Sequence, residues 1–581
     1  MKELKKKYEE TIVTEKIMTG SQLLLEIFLN EGIRTIFGYP GGAIMPVYDA
    51  LYDYQEKLEH ILVRHEQGAI HAAQGYARAS GNVGVVIATS GPGATNLVTG
   101  LADALLDSTP VVCITGQVYA HLLGSDAFQE IDVMGITTPV TKWNYQITDA
   151  NQIPEILAKA FYIARSGRPG PVVIDITKNA QLQRLPYPGY KPCIGLPNYK
   201  PVPVPDKTQL IKAAMLINEA KRPFVIIGQG VLLGKAETEL LQFIEKTGIP
   251  TAWTILGMSA IPTDHPLAVG MVGMHGNYGP NLLTNECDVL IAIGMRFDDR
   301  VTGRLDEYAT KAKIIHLDID RAEIDKNVKA DIPILGDCKE TLPQLTRLVL
   351  SKTHQKWYNY FKDCQETEYK EVIQNEIYPA GNRITMGEVI RNINELTEGE
   401  AIIVSDVGQH QMITCRYAHY KNSRSNITSG GLGTMGFAIP AAIGAATAYT
   451  NRSVIAVMGD GGVQMNIQEL GTIMQFKINV KLIILNNSFL GMVRQWQELF
   501  HDNRYSFVAM HNPDFVKIAA GYSIPGQRVE RREDLHQALQ HMMEHKGSYL
   551  LEIVVGKEDN VFPMVPQGKS VSDIVFNKDQ I

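Results

Sequence analysis

The stretch VIAVMGDGGVQMNIQELGTIMQFKINVKLIILNN, residues 454–487, predicts one strand–helix–strand unit. A β-branched run ends at Gly459-Asp460-Gly461, a segment with helical periodicity follows, and a second apolar run ends at Asn486-Asn487. Ligands of parallel sheets bind outside the carboxyl ends of the strands. We therefore expect Asp460 and Asn487 to lie side by side at one crevice.

The residue types at these two strand ends favour a diphosphate and a divalent cation. Gly461 and Gly462 let the backbone approach a ligand closely, and a helix that opens near Met465 would point free N–H groups at negative charge. Asp460 and Asn487 add oxygen donors of the kind that Mg²⁺ prefers. Gly459-Asp460-Gly461 or Asn486-Asn487 alone could be a surface turn, but the spacing between these two motifs resembles the thiamine diphosphate signature.

Composition indicates a globular protein with several domains. The chain has 581 residues, a net charge of −7 and six scattered cysteines. The negative net charge does not suggest a binding surface for nucleic acid or for an anionic membrane. No apolar run is long enough to span a membrane. The cysteine spacing indicates neither disulfides nor zinc, and the basic N-terminal segment 1–10 lacks the apolar core of a secretory signal. We expect a soluble, cytoplasmic protein.

Two boundaries divide the chain into three α/β units. Residues 185–205 are rich in proline, glycine and tyrosine, which favours an extended linker, and a second break near residues 375–383 precedes a new helix at Thr385. Each unit alternates β-branched runs with helical periods. We predict three domains, 1–190, 191–375 and 376–581, each with a central, mostly parallel sheet flanked by helices.

Glu66 follows an apolar strand and opens a helix of small residues. Acidic residues are common in the first turn of a helix, where they satisfy free N–H groups, and alone that interpretation is preferred. A thiamine site changes the balance, because a partly buried carboxyl can share a proton with the aminopyrimidine ring. Glu66 is therefore a candidate activator of the cofactor.

Four motifs make a family resemblance specific. They are GYPGGA at 38–43, RHEQGA at 64–69, TSGPGATN at 89–96 and GSDAFQE at 124–130. Together with the strand ends described above, they resemble the catalytic large subunit of acetohydroxyacid synthases, also called acetolactate synthases, from about Met18 to the C-terminus. The resemblance implies thiamine diphosphate, Mg²⁺ and FAD as cofactors, bound by an aminopyrimidine domain, a central FAD domain and a diphosphate domain.

The resemblance assigns roles residue by residue. It implies substrate and proton-transfer roles for Glu66, Phe128, Gln129, Lys142, Arg300 and Trp496. It implies diphosphate or thiamine contacts at Gly408, Gln409, His410, Gly433, Met435, Gly461 and Gly462. The implied metal ligands are Asp460, Asn487 and the backbone oxygen of Phe489. Without the family, Phe128 and Met435 are core residues, Gln129 is a surface residue and Lys142 is a solvated lysine.

The middle segment resembles the flavin-binding part of these enzymes. The motifs are MVGMHGNYG at 271–279, GMRFDDRVTG at 294–303 and HLDIDRAEI at 316–324. The implied FAD contacts are Arg168, Met274, His275, Arg296, Asp318 and Asp337. Gly228 is a further cofactor candidate, because Gly228-Gln229-Gly230 after the strand PFVII loosely resembles a dinucleotide loop. Asp318 could also be a helix cap. Arg300 suits the carboxylate of a 2-oxo acid, with Asp298 and Asp299 holding it or the flavin, although FDDR could be a surface ion pair.

The implied reaction decarboxylates pyruvate and joins the two-carbon unit to a second 2-oxo acid. A second pyruvate gives 2-acetolactate and 2-oxobutyrate gives 2-aceto-2-hydroxybutyrate, both precursors of branched-chain amino acids. The family also implies a homodimer or dimer of dimers, in which Glu66 faces the partner's diphosphate site, and a small regulatory subunit. Two rivals stay open: an FAD-dependent pyruvate oxidase-type enzyme and a non-catalytic nucleotide-binding paralogue.

Overall fold

The computed structural model describes residues 16–187 and 189–581. It contains three six-stranded parallel sheets, each flanked by helices, which confirms the predicted fold class. The basic segment 1–10 and Pro188 of the predicted linker lie outside the described residues. Within the described ranges, no helix is long and apolar enough to cross a membrane.

The first domain is built on a sheet of order β3-β2-β4-β5-β7-β6. The four central strands of this sheet are fully buried, as expected when helices cover both faces, whereas the two edge strands are partly accessible. The short β1 and β8 pair antiparallel beside it. The strands are β1 (Ile17–Thr19), β2 (Thr35–Gly38), β3 (Glu59–Leu62), β4 (Gly84–Ala88), β5 (Val111–Gln117), β6 (Trp143–Ile147), β7 (Val172–Thr177) and β8 (Arg184–Pro186). The α-helices are Gly20–Asn30, Met45–Leu51, Glu66–Ser80, Pro92–Thr95, Val98–Leu106, Val133–Thr137, Ile153–Arg165 and Lys178–Leu182.

The middle domain has a sheet of order β11-β10-β9-β12-β13-β14. Its strands are β9 (Pro223–Ile227), β10 (Thr251–Trp253), β11 (Ala268–Met271), β12 (Val289–Ile293), β13 (Lys313–Asp318) and β14 (Ile332–Leu335). Its α-helices are Lys207–Glu219, Gly230–Leu233, Glu237–Thr247, Tyr278–Thr284, Asp299–Thr302, Cys338–Leu348 and Gln355–Glu368. A π-helical turn, Tyr369–Ile373, leads into helix Gln374–Ile377. The predicted boundary after residue 375 stays a prediction, and it falls inside that last helix.

The third domain has a sheet of order β16-β15-β17-β18-β20-β19. Its strands are β15 (Ile402–Ser405), β16 (Asn426–Thr428), β17 (Val454–Gly459), β18 (Lys481–Asn486), β19 (Gly526–Val529) and β20 (Tyr549–Val554). Its α-helices are Met386–Thr397, Gln409–Tyr417, Ala438–Ala448, Asp460–Met465, Leu470–Phe476, Gly491–Phe500, Phe515–Gly521 and Arg532–Glu544. The predicted helix at Thr385 is present, since the Thr385 side chain caps helix Met386–Thr397.

A close helix pair joins the first and third domains. Helix Glu66–Ser80 packs against helix Ala438–Ala448, and both are rich in alanine and glycine. A Cβ atom at Gly75 would lie 2.0 Å from the carbonyl oxygen of Ala441, and one at Gly444 would lie 1.8 Å from that of Ala72. Only glycine permits this approach. We call this helix pair the glycine seam; it fixes Glu66 relative to the third domain.

Candidate active site

The ends of β17 and β18 come together as predicted. The two strands are parallel neighbours, with Gly459 opposite Leu485, so Asp460 and Asn487 leave adjacent strands at the same edge. The helix that follows β17 begins at Asp460 and ends at Met465. The expectation that it opens near Met465 is wrong, because Gly459 already has the extended conformation of an N-cap residue.

Asp460 lies in a buried polar network. Its side chain is almost inaccessible to solvent, and burial raises the pKa of its carboxyl to about 6. The Asn512 amide donates to Asp460 Oδ2 at 2.6 Å and to Asn486 Oδ1 at 3.1 Å. Asn487 Oδ1 accepts from the backbone N–H of Phe489 at 3.1 Å. Asn512 therefore orients the carboxylate, a role that sequence analysis missed.

The donor set at these strand ends fits a magnesium ion shared with phosphate. It has one carboxylate, from Asp460, and one side-chain amide oxygen, from Asn487, and the backbone carbonyl of Phe489 stays a predicted third donor. In the described part of the chain, no group of three His, Cys, Asp or Glu side chains could hold a metal by itself. Mg²⁺ usually binds through one or two carboxylates plus water and substrate phosphates, so the sparse set suits it.

Two loops face the same edge from β15 and β16. Gly408, with φ of +147°, precedes helix Gln409–Tyr417, and Gly433, with φ of +69°, lies before Met435. The His410 ring packs against Gly408 and Gly459. A Cβ atom at either glycine would lie 2.9 Å from the ring. Burial lowers the pKa of His410 to about 3, so the ring is neutral. Its buried Nε2 has no partner among the described residues, which suits a polar ligand there.

Asp406 organises the loop that carries Met435. Its buried carboxylate accepts from the backbone N–H groups of Gly436 at 2.9 Å and Ala438 at 3.2 Å. Burial also raises the pKa of this carboxyl to about 6. Sequence analysis assigned no role to Asp406. It directly follows β15, and a position at a strand end gives no signal for a bond to Gly436, 30 positions away.

A cavity of about 820 Å³ lies among all three domains. Every predicted flavin contact lines it: Arg168, Gly228, Met274, His275, Arg296, Asp318 and Asp337. So do five further predicted residues: Arg300, Gly408, Gly433, Met435 and Trp496. The structure thus brings the predicted flavin residues, the predicted acceptor-binding Arg300 and part of the predicted thiamine site to one continuous space.

The middle-domain wall of the cavity fits a dinucleotide. Asp318 ends β13, and burial raises the pKa of its carboxyl to about 7. It accepts the backbone N–H of Asp320 at 2.8 Å, so it caps a turn and still faces the cavity. A Cβ at Gly228 would meet the Gly294 oxygen at 2.3 Å, so two bare backbone loops cross there. Carboxylates at strand ends beside glycine loops are typical of nucleotide sites.

Arg300 is held loosely. Its side chain is 59% exposed, with Nε 3.7 Å from Asp299 Oδ2 and Nη1 3.6 Å from Met274 Sδ. Asp298 does not hold the guanidinium: its Oδ1 accepts the backbone N–H of Arg300 at 2.9 Å and caps the short helix Asp299–Thr302. The guanidinium therefore keeps free donors toward the cavity.

Glu66 lies at the start of its helix but does not cap it. The His65 ring accepts the N–H of Gln67 and serves as the cap. The buried Glu66 carboxylate instead accepts from the Asn96 side chain at 2.9 Å. The alternative interpretation, in which Glu66 satisfies the first turn, therefore does not describe its side chain.

The remaining predicted residues of the first domain do not line the cavity. Phe128 is 88% exposed, and Gln129, with φ of +61°, belongs to the same loop. Lys142 Nζ donates to the carbonyl oxygens of Ile163 and Ser166, and burial lowers its pKa to about 8. In the third domain, Gly461 and Gly462 are buried in the helix that begins at Asp460, and the buried Gln409 accepts from the Asn487 amide at 3.3 Å. None of Glu66, Phe128, Gln129 and Lys142 lines the cavity of its own chain, although Lys142 binds the carbonyl oxygen of Ser166 in the cavity wall.

Comparison with known proteins agrees with this geometry. Residues 18–136 match the N-terminal TPP binding domain of thiamine pyrophosphate enzymes, residues 210–345 match their central domain and residues 406–553 match their C-terminal TPP binding domain. The probable acetolactate synthase large subunit of Methanocaldococcus jannaschii is 46% identical over 96% of this chain and 95% of its own length. The chain belongs to the acetolactate synthase large-subunit family.

Members of this family from other organisms match over nearly the same span. The acetolactate synthase large subunit of Lactococcus lactis is 44% identical, covering 97% of each chain. The isozyme 2 large subunit of Escherichia coli is 43% identical over 96% of this chain and 99% of its own length. Family membership confirms the resemblance and makes this chain a thiamine pyrophosphate-dependent enzyme with two cofactor-binding domains around a central one.

Proposed function

We propose that this protein is an acetolactate synthase that joins the two-carbon unit of pyruvate to a second pyruvate or to 2-oxobutyrate. The observation that carries the proposal is the edge where Asp460 and Asn487 lie side by side beneath the Met435 loop. Met435 also lines the cavity that Arg300 and Trp496 line, which supports a link between this edge and the cavity.

Thiamine diphosphate, when bound, supplies the electron sink for decarboxylation of a 2-oxo acid. Asp460, Asn487 and the backbone oxygen of Phe489 would hold Mg²⁺, which in turn would bind the diphosphate. A second set of residues would surround the diphosphate with backbone and neutral side-chain groups: Gly408, Gln409, His410, Gly433, Gly461 and Gly462. Support comes from the buried neutral His410 ring and from the glycine contacts described above. Met435, on a loop fixed by Asp406, would contact the thiamine rings.

Glu66 shares a proton with the aminopyrimidine ring, and we propose that it does so in the site of a second copy. Its separation from the cavity of its own chain supports this arrangement, as does the exposure of Phe128 beside Gln129. An exposed phenylalanine in a predicted site loop is explained if a partner covers it. The proposed assembly is a homodimer or a dimer of dimers, in which Phe128, Gln129 and Lys142 border the partner's substrate channel.

The acceptor 2-oxo acid binds between Arg300 and Trp496. The free donors of the Arg300 guanidinium suit a carboxylate, which an arginine can bind in a bidentate manner. Trp496 lies one helical turn after Met492 on helix Gly491–Phe500, and both line the cavity. An apolar wall opposite a cation fits an acid with a short alkyl chain.

The middle-domain part of the cavity would hold FAD, and the residues that would contact it are Arg168, Gly228, Met274, His275, Arg296, Asp318 and Asp337. Because carbon–carbon ligation is redox neutral, we expect the flavin to serve structure and not electron transfer. The apoprotein reconstituted with 5-deazaflavin adenine dinucleotide should form acetolactate from pyruvate, with no oxygen uptake at an electrode. Oxygen consumption, with activity only from redox-competent flavins, would favour the oxidase rival.

A small regulatory subunit is a further expected partner. The relatives from Lactococcus lactis and Escherichia coli are named large subunits, which supports a second type of chain. The cytoplasmic location predicted from composition is part of the same proposal. Sedimentation of the purified chain, alone and with such a partner, measures both assembly states.

A further inference from the structure

One short helix connects the two proposed cofactor sites. Helix Gln409–Tyr417 begins with Gln409 and His410, which we place at the diphosphate, and carries Arg416 in its last turn. Gln409 and Arg416 are separated by about 10 Å along the helix axis. The helix packs against β11 of the middle domain and against β15 and β17 of its own domain. We therefore expect a displacement at one end of the helix to move the other end.

Arg416 binds the flavin-facing loop of the middle domain, residues 274–276. Its side chain is fully buried, and Nη1 donates to the carbonyl oxygens of His275 at 3.2 Å and Gly276 at 2.9 Å. Nη2 donates to the carboxylate of Glu368, which is also buried. One guanidinium thus joins the third domain to a loop and a helix of the middle domain.

Glu368 completes this unit from the other side. It ends helix Gln355–Glu368 and accepts from the Asn277 side chain at 3.0 Å and from the backbone N–H of Tyr278 at 2.7 Å. Asn277 follows the loop directly, so the loop is held at both its carbonyl groups and its C-terminal end. A buried charge pair with this many additional hydrogen bonds has a single preferred geometry.

The held loop presents Met274 and His275 to the cavity. Two backbone bonds also hold Met274: its N–H donates to the Arg300 oxygen at 2.7 Å, and its carbonyl oxygen accepts from the N–H of Val565 at 2.8 Å. Burial lowers the pKa of His275 to about 3, and the charges of Arg416 and Arg300 add to the effect. The loop therefore offers a neutral ring to the flavin, and its position depends on the third-domain helix through Arg416.

We propose that Arg416 is a positioning residue that couples flavin binding to thiamine diphosphate binding. Ordering the N-terminal end of helix Gln409–Tyr417 around a diphosphate also orders Arg416, and hence the loop of Met274 and His275. The coupling is reciprocal, because linkage requires each ligand to change the affinity of the other by the same factor. The inference rests on the proposed function, which supplies the two cofactors.

The test measures cofactor affinity and not turnover. The apoprotein is titrated with FAD, followed by flavin fluorescence, with and without saturating thiamine diphosphate and Mg²⁺. The affinity ratio is the Kd for FAD without thiamine diphosphate divided by the Kd for FAD with it. In the wild-type protein, we expect this ratio to be about five or more, the usual lower range of coupling. In Arg416→Gln this ratio should fall close to one, and Arg416→Lys should restore part of it by renewing the ion pair.

A matched control is Arg532→Gln. Arg532 pairs with the buried Glu388 at 2.8 Å inside the third domain and does not contact the flavin loop. It should lower thermal stability while keeping the wild-type ratio. Should Arg416→Gln fail to fold, Glu368→Gln applies the same test, because it removes the ion pair and keeps the Arg416–carbonyl bonds; the ratio should fall at least twofold.

The outcomes separate this inference from the proposed function. A wild-type ratio of one, or an unchanged ratio in the folded Arg416 or Glu368 variant, overturns the inference and leaves the enzyme assignment standing. A wild-type protein that binds thiamine diphosphate but no FAD overturns the flavin assignment, and the inference with it.

Discussion

The glycine seam makes a strong prediction about how the fold positions the catalytic acid. In Gly75→Ala, the new methyl group would lie 2.0 Å from the Ala441 carbonyl oxygen, and that obstacle is backbone. To restore ordinary contact, helices Glu66–Ser80 and Ala438–Ala448 would have to separate by more than about 1 Å, in an interior that is otherwise close-packed.

The expected magnitude follows from two opposing effects. Overpacking a well-packed interior costs about 1–3 kcal/mol, and a backbone obstacle belongs at the upper end. Alanine is favoured over glycine within a helix by about 1 kcal/mol, which offsets part of this cost. We expect a net loss of about 2 kcal/mol in the free energy of unfolding. Because Glu66 begins the displaced helix, a shift of about 1 Å could lower turnover by up to about a hundredfold.

Thermal melting and pyruvate turnover at saturating cofactor measure the two effects separately. The matched control is Gly521→Ala, at the end of helix Phe515–Gly521, where a Cβ meets open space. It should leave both quantities close to wild type. A Gly75→Ala protein with a lower melting temperature but full turnover would refute the claim that the seam positions Glu66; wild-type values of both would refute the clash itself.

Four further predictions concern single side chains. Glu66→Gln should slow turnover by on the order of a hundredfold, the scale of a lost acid–base group, and unchanged proton–deuterium exchange at thiamine C2 would remove Glu66 from its role. Asp460→Ala should abolish Mg²⁺-dependent uptake of thiamine diphosphate in calorimetry, because the site has one carboxylate; normal uptake would contradict the metal assignment. The extra methylene of 2-oxobutyrate contributes about 0.8 kcal/mol when it is buried against Trp496. With the added contacts, we expect 2-oxobutyrate to be preferred over pyruvate as acceptor by roughly tenfold. Trp496→Leu should erase that preference in a competition assay, whereas a structural Trp496 would lower only the melting temperature. Burial raises the pKa of Asp175, in β7, to about 6, above its unfolded value near 3.8. Between these pH values the folded state binds more protons than the unfolded state, so the stability of the wild-type protein falls as pH rises. The melting temperature of Asp175→Asn minus that of wild type should therefore be larger at pH 7 than at about pH 4, and an equal difference at both pH values would contradict the shift.

The strand ends could be predicted because their signal is local. Apolar runs that stop at Gly459 and at Asn486 mark parallel strands, and adjacent parallel strands share an edge. The start of the following helix was misplaced, since it depends on the backbone conformation of Gly459 and not on composition. The flavin contacts came from family motifs, and the cavity brings all of them together.

The residues that sequence analysis missed act through distant parts of the chain. Asn512 reaches Asp460 across 52 positions, and Asp406 reaches Gly436 across 30. No periodicity reports such contacts, because they depend on how loops from different strands meet. Arg416 belongs to the same class, with Glu368 48 positions away. Lys142 shows the converse: its residue type suggested a free cation, but two carbonyl groups bind its ammonium.

The most direct test of the proposed function is the identity of the product formed from pyruvate. The purified chain is supplied with [2-¹³C]pyruvate, thiamine diphosphate, Mg²⁺ and FAD, and the products are followed by NMR, with Asp460→Ala as the inactive control. The account predicts 2-acetolactate labelled at two carbons, and the mixed product 2-aceto-2-hydroxybutyrate when 2-oxobutyrate is added. Acetate or acetaldehyde as the main product, or equal activity in Asp460→Ala, would contradict it.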